Sequence, residues 1–155
     1  TIKNQLTPGL IKSVVQQNKK QRFHLLGDPD DGMWFVRANQ GHSMVNICVD
    51  MKEVTDPSEI PNCIHGTYSR HLNTIMKTGL NSMSRQHIHM AASVPGENGV
   101  ISGMRNSCDT IIYVDTAKAM VLGIQFFISS NGVILSPGDA SGSIPASCFI
   151  HVEQR

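Results

Sequence analysis

Net charge is nearly missing from this chain: 13 Lys and Arg stand against 12 Asp and Glu, leaving +1. So weak a field does not gather polyanions at long range, and any phosphate-bearing ligand must be gripped by a local cluster. Long apolar runs are missing too. Stretches such as IIYV and MWFV fall far short of the roughly 20 residues that cross a bilayer. The N-terminus lacks the basic-then-apolar form of a signal peptide, and the expectation is an intracellular protein of the cytoplasm, the nucleus or both. Paired cysteines are absent: Cys48, Cys63, Cys108 and Cys148 are scattered singly with no CxxC, which argues against a zinc knuckle or a redox dithiol. Set in apolar stretches such as VNICVDM and ASCFI, they read as small buried hydrophobes. The seven histidines show neither HxxxH nor HExxH spacing. His87 and His89 of HIH could ligate a metal from one strand face, but no nearby carboxylate or cysteine completes a set, so no metal is expected. There is no internal repeat and no low-complexity tract.

With 155 residues, 40% of them hydrophobic, the chain can bury one core or two small lobes that share an interface. LTPGLIKSVVQQNKKQ opens on Thr-Pro, repeats apolar residues at Leu10, Ile11, Val14 and Val15, and ends in a basic turn, the pattern of an amphipathic helix. RFHLL and MWFVRA flank the turn chemistry of GDPDDG and predict a β-hairpin. Helix plus hairpin reads as the trailing half of a winged-helix-like lobe, so that the chain begins mid-domain. MVNICVDM predicts a further strand and KEVTDPSEIPNC a polar, Pro-bearing linker. HGTYSRHLNTIMKTGL predicts a polar loop feeding a helix that stops at Gly79. HIHMAA, TIIYVD, FFIS and GVILS then predict short strands, separated by VPGENG, the small helix TAKAMVLG and the turn SSNG. The predicted class is α+β: a partial winged-helix-like lobe with its linker over 1–60, then a lobe of two packed small sheets with short helices over 61–155.

Three stretches carry chemistry. RANQGHS, Arg37 to Ser43, sets an arginine, two carboxamides and a histidine directly behind an apolar strand, where ligand contacts are often placed. It is equally a solvated turn closed by Gly41. HGT, His65 to Thr67, joins an imidazole and a hydroxyl, suited to ribose hydroxyls or an amide, to a glycine that permits close backbone approach. VISGMRN brings Ser102, Gly103 and then Arg105, a guanidinium able to grip phosphate through two donors. KKQR, Lys19 to Arg22, is a solvated helix end that could also touch a nucleic-acid backbone.

Taken together, RANQGHS, HGTYSRHL, KTGL, SRQHIHMA, VISGMR, GIQFF and NGVIL stand in the order and approximate spacing of the tRNA 2′-phosphotransferase family, and the chain resembles that family over nearly its whole length. The resemblance implies an RNA lobe of winged-helix type followed by an ADP-ribosyltransferase-like lobe that binds NAD as co-substrate. It implies removal of the 2′-phosphate of a tRNA splice junction in two steps. The phosphate first attacks the anomeric carbon of the nicotinamide ribose and expels nicotinamide. A neighbouring ribose hydroxyl then attacks phosphorus, giving 2′-OH RNA and ADP-ribose 1″,2″-cyclic phosphate.

By the same resemblance Arg37 and Arg105 orient the phosphate and offset its charge. His65 hydrogen-bonds the nicotinamide ribose with Gly66 and Thr67 beside it, His89 stacks on the nicotinamide, and Val133 takes the third place of the transferase triad. Many protein ADP-ribosyltransferases hold glutamate there to activate the acceptor, but a nucleophile that arrives anionic needs no such base. From the residues alone, His65 and His89 also fit core histidines satisfied by carbonyls, and Val133 fits a strand core. His42, His71 and His87 are expected to be structural or secondary contacts. An Arg-His pair that the family carries ahead of the position of Arg37 has no counterpart here, since the sole Arg-His dipeptide is Arg70-His71. The expectation is a truncated form that binds NAD but turns over poorly. Two other classes stay open: an ADP-ribosyltransferase that modifies nucleic acid or protein, and a non-catalytic winged-helix module.

Overall fold

The computed structural model describes residues 6–41, 50–94 and 104–155. Its first helix, α1 (Pro8–Gln17), starts where the Thr7 hydroxyl accepts from the Leu10 amide at 3.3 Å. Pro8 occupies the first helical position, where its missing N–H costs nothing. After α1 the chain reverses through Gln21 in left-handed backbone (φ 42°), and the Asn18 side chain accepts from the Arg22 amide at 3.1 Å. The hairpin follows as expected: β1 (Phe23–Leu26) pairs antiparallel with β2 (Phe35–Ala38), Phe23 opposite Ala38 and His24 opposite Arg37. Lys12 pins the hairpin turn to α1, its Nζ 2.8 Å from Asp28 and 3.1 Å from Asp30. None of the residues of α1 is buried, and Leu10 and Val14 stand 45% and 50% exposed.

The rest is α+β, with few helices and several small antiparallel sheets. In chain order the elements are β3 (Met51–Val54), β4 (Ile64–Thr67), α2 (Ser69–Thr78), β5 (Leu80–Asn81), β6 (Ile88–Met90), β7 (Thr110–Val114), α3 (Thr116–Val121), β8 (Gln125–Ser129), β9 (Ile134–Gly138), β10 (Ser143–Ile144) and β11 (Phe149–Gln154). They build a three-stranded sheet β11-β7-β4, a four-stranded sheet β3-β8-β9-β6 and the short pair β10-β5. One core cluster takes Ile112 and Val114 from the first of these and Phe126 and Ile134 from the second, as two packed sheets require. The sheets also touch at their edges, where Ile64 and Ala91 exchange two backbone hydrogen bonds of 2.9 Å.

One expectation is corrected, and others fall on residues that are not described. Residues 42–49, the greater part of the MVNICVDM strand with Cys48, lie outside the described residues, and so does most of VPGENG. KEV, read as linker, is strand: Val54 is 3% exposed and pairs with Phe126 of β8, so residues 51–54 join the four-stranded sheet. The N-cap of α2, Tyr68, makes no side-chain bond to the first turn. Asp109 instead holds the helix start from far along the chain, accepting from the Ser69 amide at 2.7 Å and hydroxyl at 3.1 Å. At the other end Gly79 (φ 80°) is forced twice over, because a Cβ there would lie 2.4 Å from the Ile144 carbonyl oxygen. Cys63 and Cys148 are buried and Cys108 half-buried, and burial pushes the Cys63 and Cys148 thiols up. Among the described residues no helix is long and apolar enough to cross a membrane.

Candidate active site

Where the hairpin meets the β4 and β6 edges, the structure encloses a cavity of about 620 Å³, within the range of small-molecule sites. β4 contributes His65, Gly66 and Thr67, and β6 contributes His89. Val133 and Arg105 complete that side, while Lys20, Arg22, Ala38 and Gln40 face them from the helix–hairpin unit.

The Ile64–Ala91 bridge sets His65 beside His89. Nδ1 of His65 lies 2.9 Å from the carbonyl oxygen of His89, and Nδ1 of His89 lies 2.9 Å from that of His87. A carbonyl only accepts, so each neutral ring carries its proton on Nδ1 and keeps a lone pair on Nε2. Burial lowers both pKa values; that of His89 falls to about 4, with Arg85 adding to the effect. Among the described residues His89 Nε2 is buried without a partner, and so is Gln40 Oε1. The two belong to one wall, since a Cβ on Gly41 would sit 3.8 Å from that Nε2. Groups left unsatisfied in this way are what a bound ligand completes.

Among the described residues four cations line the cavity, Lys20, Arg22, Arg85 and Arg105, and no carboxylate lines it with them. Lys20 is held from both directions: its Nζ donates to the Met104 carbonyl at 2.8 Å, and its own carbonyl accepts from Asn131 Nδ2 at 3.2 Å. Ser129 donates to Asn131 Oδ1 at 2.8 Å, which fixes the carboxamide. The left-handed residue Gln21 between Lys20 and Arg22 turns both side chains to the same wall.

Of the residues singled out from sequence, His65, Gly66, Thr67, His89, Val133 and Arg105 all line this cavity. Arg37 does not. Its guanidinium donates to Asp50 at 2.9 Å and its side chain is 41% exposed. Ala38 faces the cavity, and adjacent strand residues point to opposite faces. Gly66 is needed for a reason other than ligand approach, because a Cβ there would meet Met104 Cγ at 2.2 Å and Cys108 Sγ at 2.9 Å. Val133 is 1% exposed, so strand core and cavity wall are one role. His71 lines the cavity, and His87 supports His89 through its carbonyl. His42, Ser102 and Gly103 lie outside the described residues. Sequence reasoning missed Arg85 and Gln40, although both sit inside quoted motifs, and it left KKQR as a helix end.

A family model described as RNA 2'-phosphotransferase, Tpt1 / KptA family matches residues 1–138. The chain is 47% identical over 147 residues to tRNA 2'-phosphotransferase 1 of Danio rerio, covering 94% of this chain and 65% of that protein. It is 43% identical over 141 residues to tRNA 2'-phosphotransferase 1 of Homo sapiens, covering 90% and 55%. With the tRNA 2'-phosphotransferase of Saccharomyces cerevisiae it shares 35% identity, covering 81% and 57%. It thus spans less than two thirds of the length of each of these relatives. On the match to residues 1–138 and these identities, the chain belongs to the RNA 2′-phosphotransferase, Tpt1 / KptA family.

Proposed function

We propose that this chain binds NAD in the histidine-lined cavity and transfers to it the 2′-phosphate of a spliced tRNA. The observation that carries the reading is the wall on which the described residues set four cations and no carboxylate, an environment that selects ligands with several phosphates. The orphaned acceptors His89 Nε2 and Gln40 Oε1 fit a ligand that brings N–H or O–H donors, as the amide, adenine and ribose groups of a dinucleotide do. When bound, NAD supplies the anomeric carbon that releases nicotinamide and the ribose hydroxyl that closes the cyclic phosphate.

This chain's residues then have distinct tasks. His65 accepts from a ribose hydroxyl through Nε2, and His89 packs its neutral ring against the nicotinamide. Gly66 and Thr67 shape the wall between them. Arg105 holds the transferred phosphate and offsets its charge. Arg37 joins it from the other unit by leaving Asp50; an exposed pair of that kind is worth roughly 0–1 kcal/mol, and a phosphate dianion outcompetes it. Val133 in place of an acid matches an acceptor that needs no deprotonation. The helix–hairpin unit within residues 1–60 is read as the RNA-facing, winged-helix-like part, and 61–155 as the ADP-ribosyltransferase-like part. Splicing of tRNA places the work inside the cell.

The test is incubation with NAD and an oligonucleotide carrying one internal 2′-phosphate, followed by mass analysis of the RNA and assay of free nicotinamide. Loss of a phosphate supports the reading. Gain of ADP-ribose assigns the chain to acceptor modification instead, and RNA binding without any affinity for NAD in calorimetry leaves only a nucleic-acid-binding module. Arg105→Ala should keep its NAD affinity and lose affinity for the 2′-phosphorylated strand.

A further inference from the structure

Just outside the cavity stands a cation with no role in this scheme. Arg70, the second residue of α2, is exposed, yet its guanidinium is fixed. Its carbon lies 4.4 Å from the Tyr68 ring centroid, and its Nε donates to His71 Nε2 at 3.2 Å. Tyr68 and His71 both line the cavity, with their rings edge to face at 6.3 Å. The guanidinium is therefore held at the rim by two wall residues. Tyr68 is itself anchored through its hydroxyl, 2.9 Å from Ser107 Oγ, and the phenol's pKa is lowered first by Ser107 and then by Arg105. One aromatic ring thus carries Arg70 on its face and Arg105 near its hydroxyl.

Among the described residues Lys12, Arg37, Lys52 and Arg155 each pair with a carboxylate, whereas Arg70 pairs with none. Ordering a long side chain costs rotamer entropy, and a cation–π contact at an exposed site returns only about 0.5–1 kcal/mol. A guanidinium held over a ring and paired with no carboxylate among the described residues is pre-organised for a phosphate. The helix start is not the source of this affinity, because the Ser69 amide is already taken by Asp109.

We propose that Arg70, held by Tyr68 and His71, binds a backbone phosphodiester of the RNA strand next to the nucleotide whose 2′-phosphate enters the cavity, so that the strand crosses the first turn of α2. This rests on the function proposed above. It adds a second phosphate site, at the rim, distinct from the transferred group.

The experiment measures affinity for the 2′-phosphorylated oligonucleotide by fluorescence anisotropy across a range of salt, with NAD affinity by calorimetry, for the chain as it is, Arg70→Ala and Arg70→Lys. Arg70→Ala should weaken RNA binding about 5- to 10-fold, lower the slope of log affinity against log salt by about 0.7, as for one phosphate on a single strand, and leave NAD affinity unchanged. Arg70→Lys should restore the slope but only part of the affinity. An unchanged slope overturns the proposal, as does an equal fall in NAD affinity, which would assign Arg70 to the dinucleotide. Failure to bind NAD at all sinks the function proposed above, while the salt slope still reports whether Arg70 meets a phosphodiester.

Discussion

Between pH 6.5 and pH 4 the fold should lose stability through His89. Burial, and then Arg85, lower its pKa from 6.5 to about 4. An unfolded chain takes up a proton on this ring as pH falls below 6.5, whereas the native ring resists until near 4. Over that window the unfolded state binds more protons, so stability falls as pH falls and is complete only above the unfolded value. At 1.36 kcal/mol per pH unit the full effect is roughly 3 kcal/mol. Because the side chain is only partly buried, solvent screening reduces this to about 2 kcal/mol. Burial lowers the His65 pKa as well, which adds loss of the same sign. Asp28, Asp109 and Asp139 have lowered pKa values, and carboxylates of that kind act at the acid end of the range, below most of this window. Urea unfolding of the protein and of His89→Gln at several pH values from 7 to 4.5 isolates the term, since the difference between the two should itself shrink on acidification at constant m. A wild-type-minus-variant difference that is flat with pH, or a His89 ring resonance titrating near 6.5, would refute both the burial and the locked tautomer.

Gly66→Ala should destabilise by about 1–3 kcal/mol, because the new Cβ meets Met104 Cγ at 2.2 Å; combining it with Met104→Ala should recover part of the loss in a double-mutant cycle, and independent effects would exclude this contact. Asn131→Ala strips the Lys20 carbonyl of its donor and removes one of the two acceptors of the Ser129 hydroxyl, leaving it the Val133 carbonyl at 3.0 Å. It should cost about 1–3 kcal/mol in denaturant and weaken NAD binding, with unchanged NAD affinity counting against Lys20 as a wall cation. Asp50→Ala frees Arg37 from its one carboxylate among the described residues. It should change stability by less than about 1 kcal/mol and tighten binding of the 2′-phosphorylated strand at low salt; weaker binding would remove Arg37 from the phosphate site.

Elements that follow from neighbouring residues were legible before the fold was known. Thr7-Pro8 fixes the start of α1, the Asp, Pro and Gly of GDPDDG fix the hairpin, and Gly79 stops α2. Hidden elements are those whose reason lies elsewhere in the chain. The segment 52–54 reads as linker because only Val54 is buried, and its partner Phe126 is far away in sequence. Phe149–Gln154 has no fully buried residue to mark it and is a strand through its pairing with β7. β5 and β10, two residues each, exist only as a pair.

The site divides along the same line. HGT and HIH are visible as motifs, but their convergence depends on the Ile64–Ala91 bridge between two sheets, which no local pattern encodes. Arg37 shows the converse, where the strand is legible but the face its side chain takes is not. Phe23 and Ala38 are cross-strand partners and both line the cavity, so His24 and Arg37, one position along on each strand, belong to the other face. A strand followed by RANQG says that polar groups gather at its end without saying which of them face inward; only the register does. The same register makes Lys20 and Arg22, on the approach to β1, the cations that this unit lends to the wall. Under the proposed function Arg37 meets the phosphate from outside that wall, which makes its exchangeable contact with Asp50 the step to perturb.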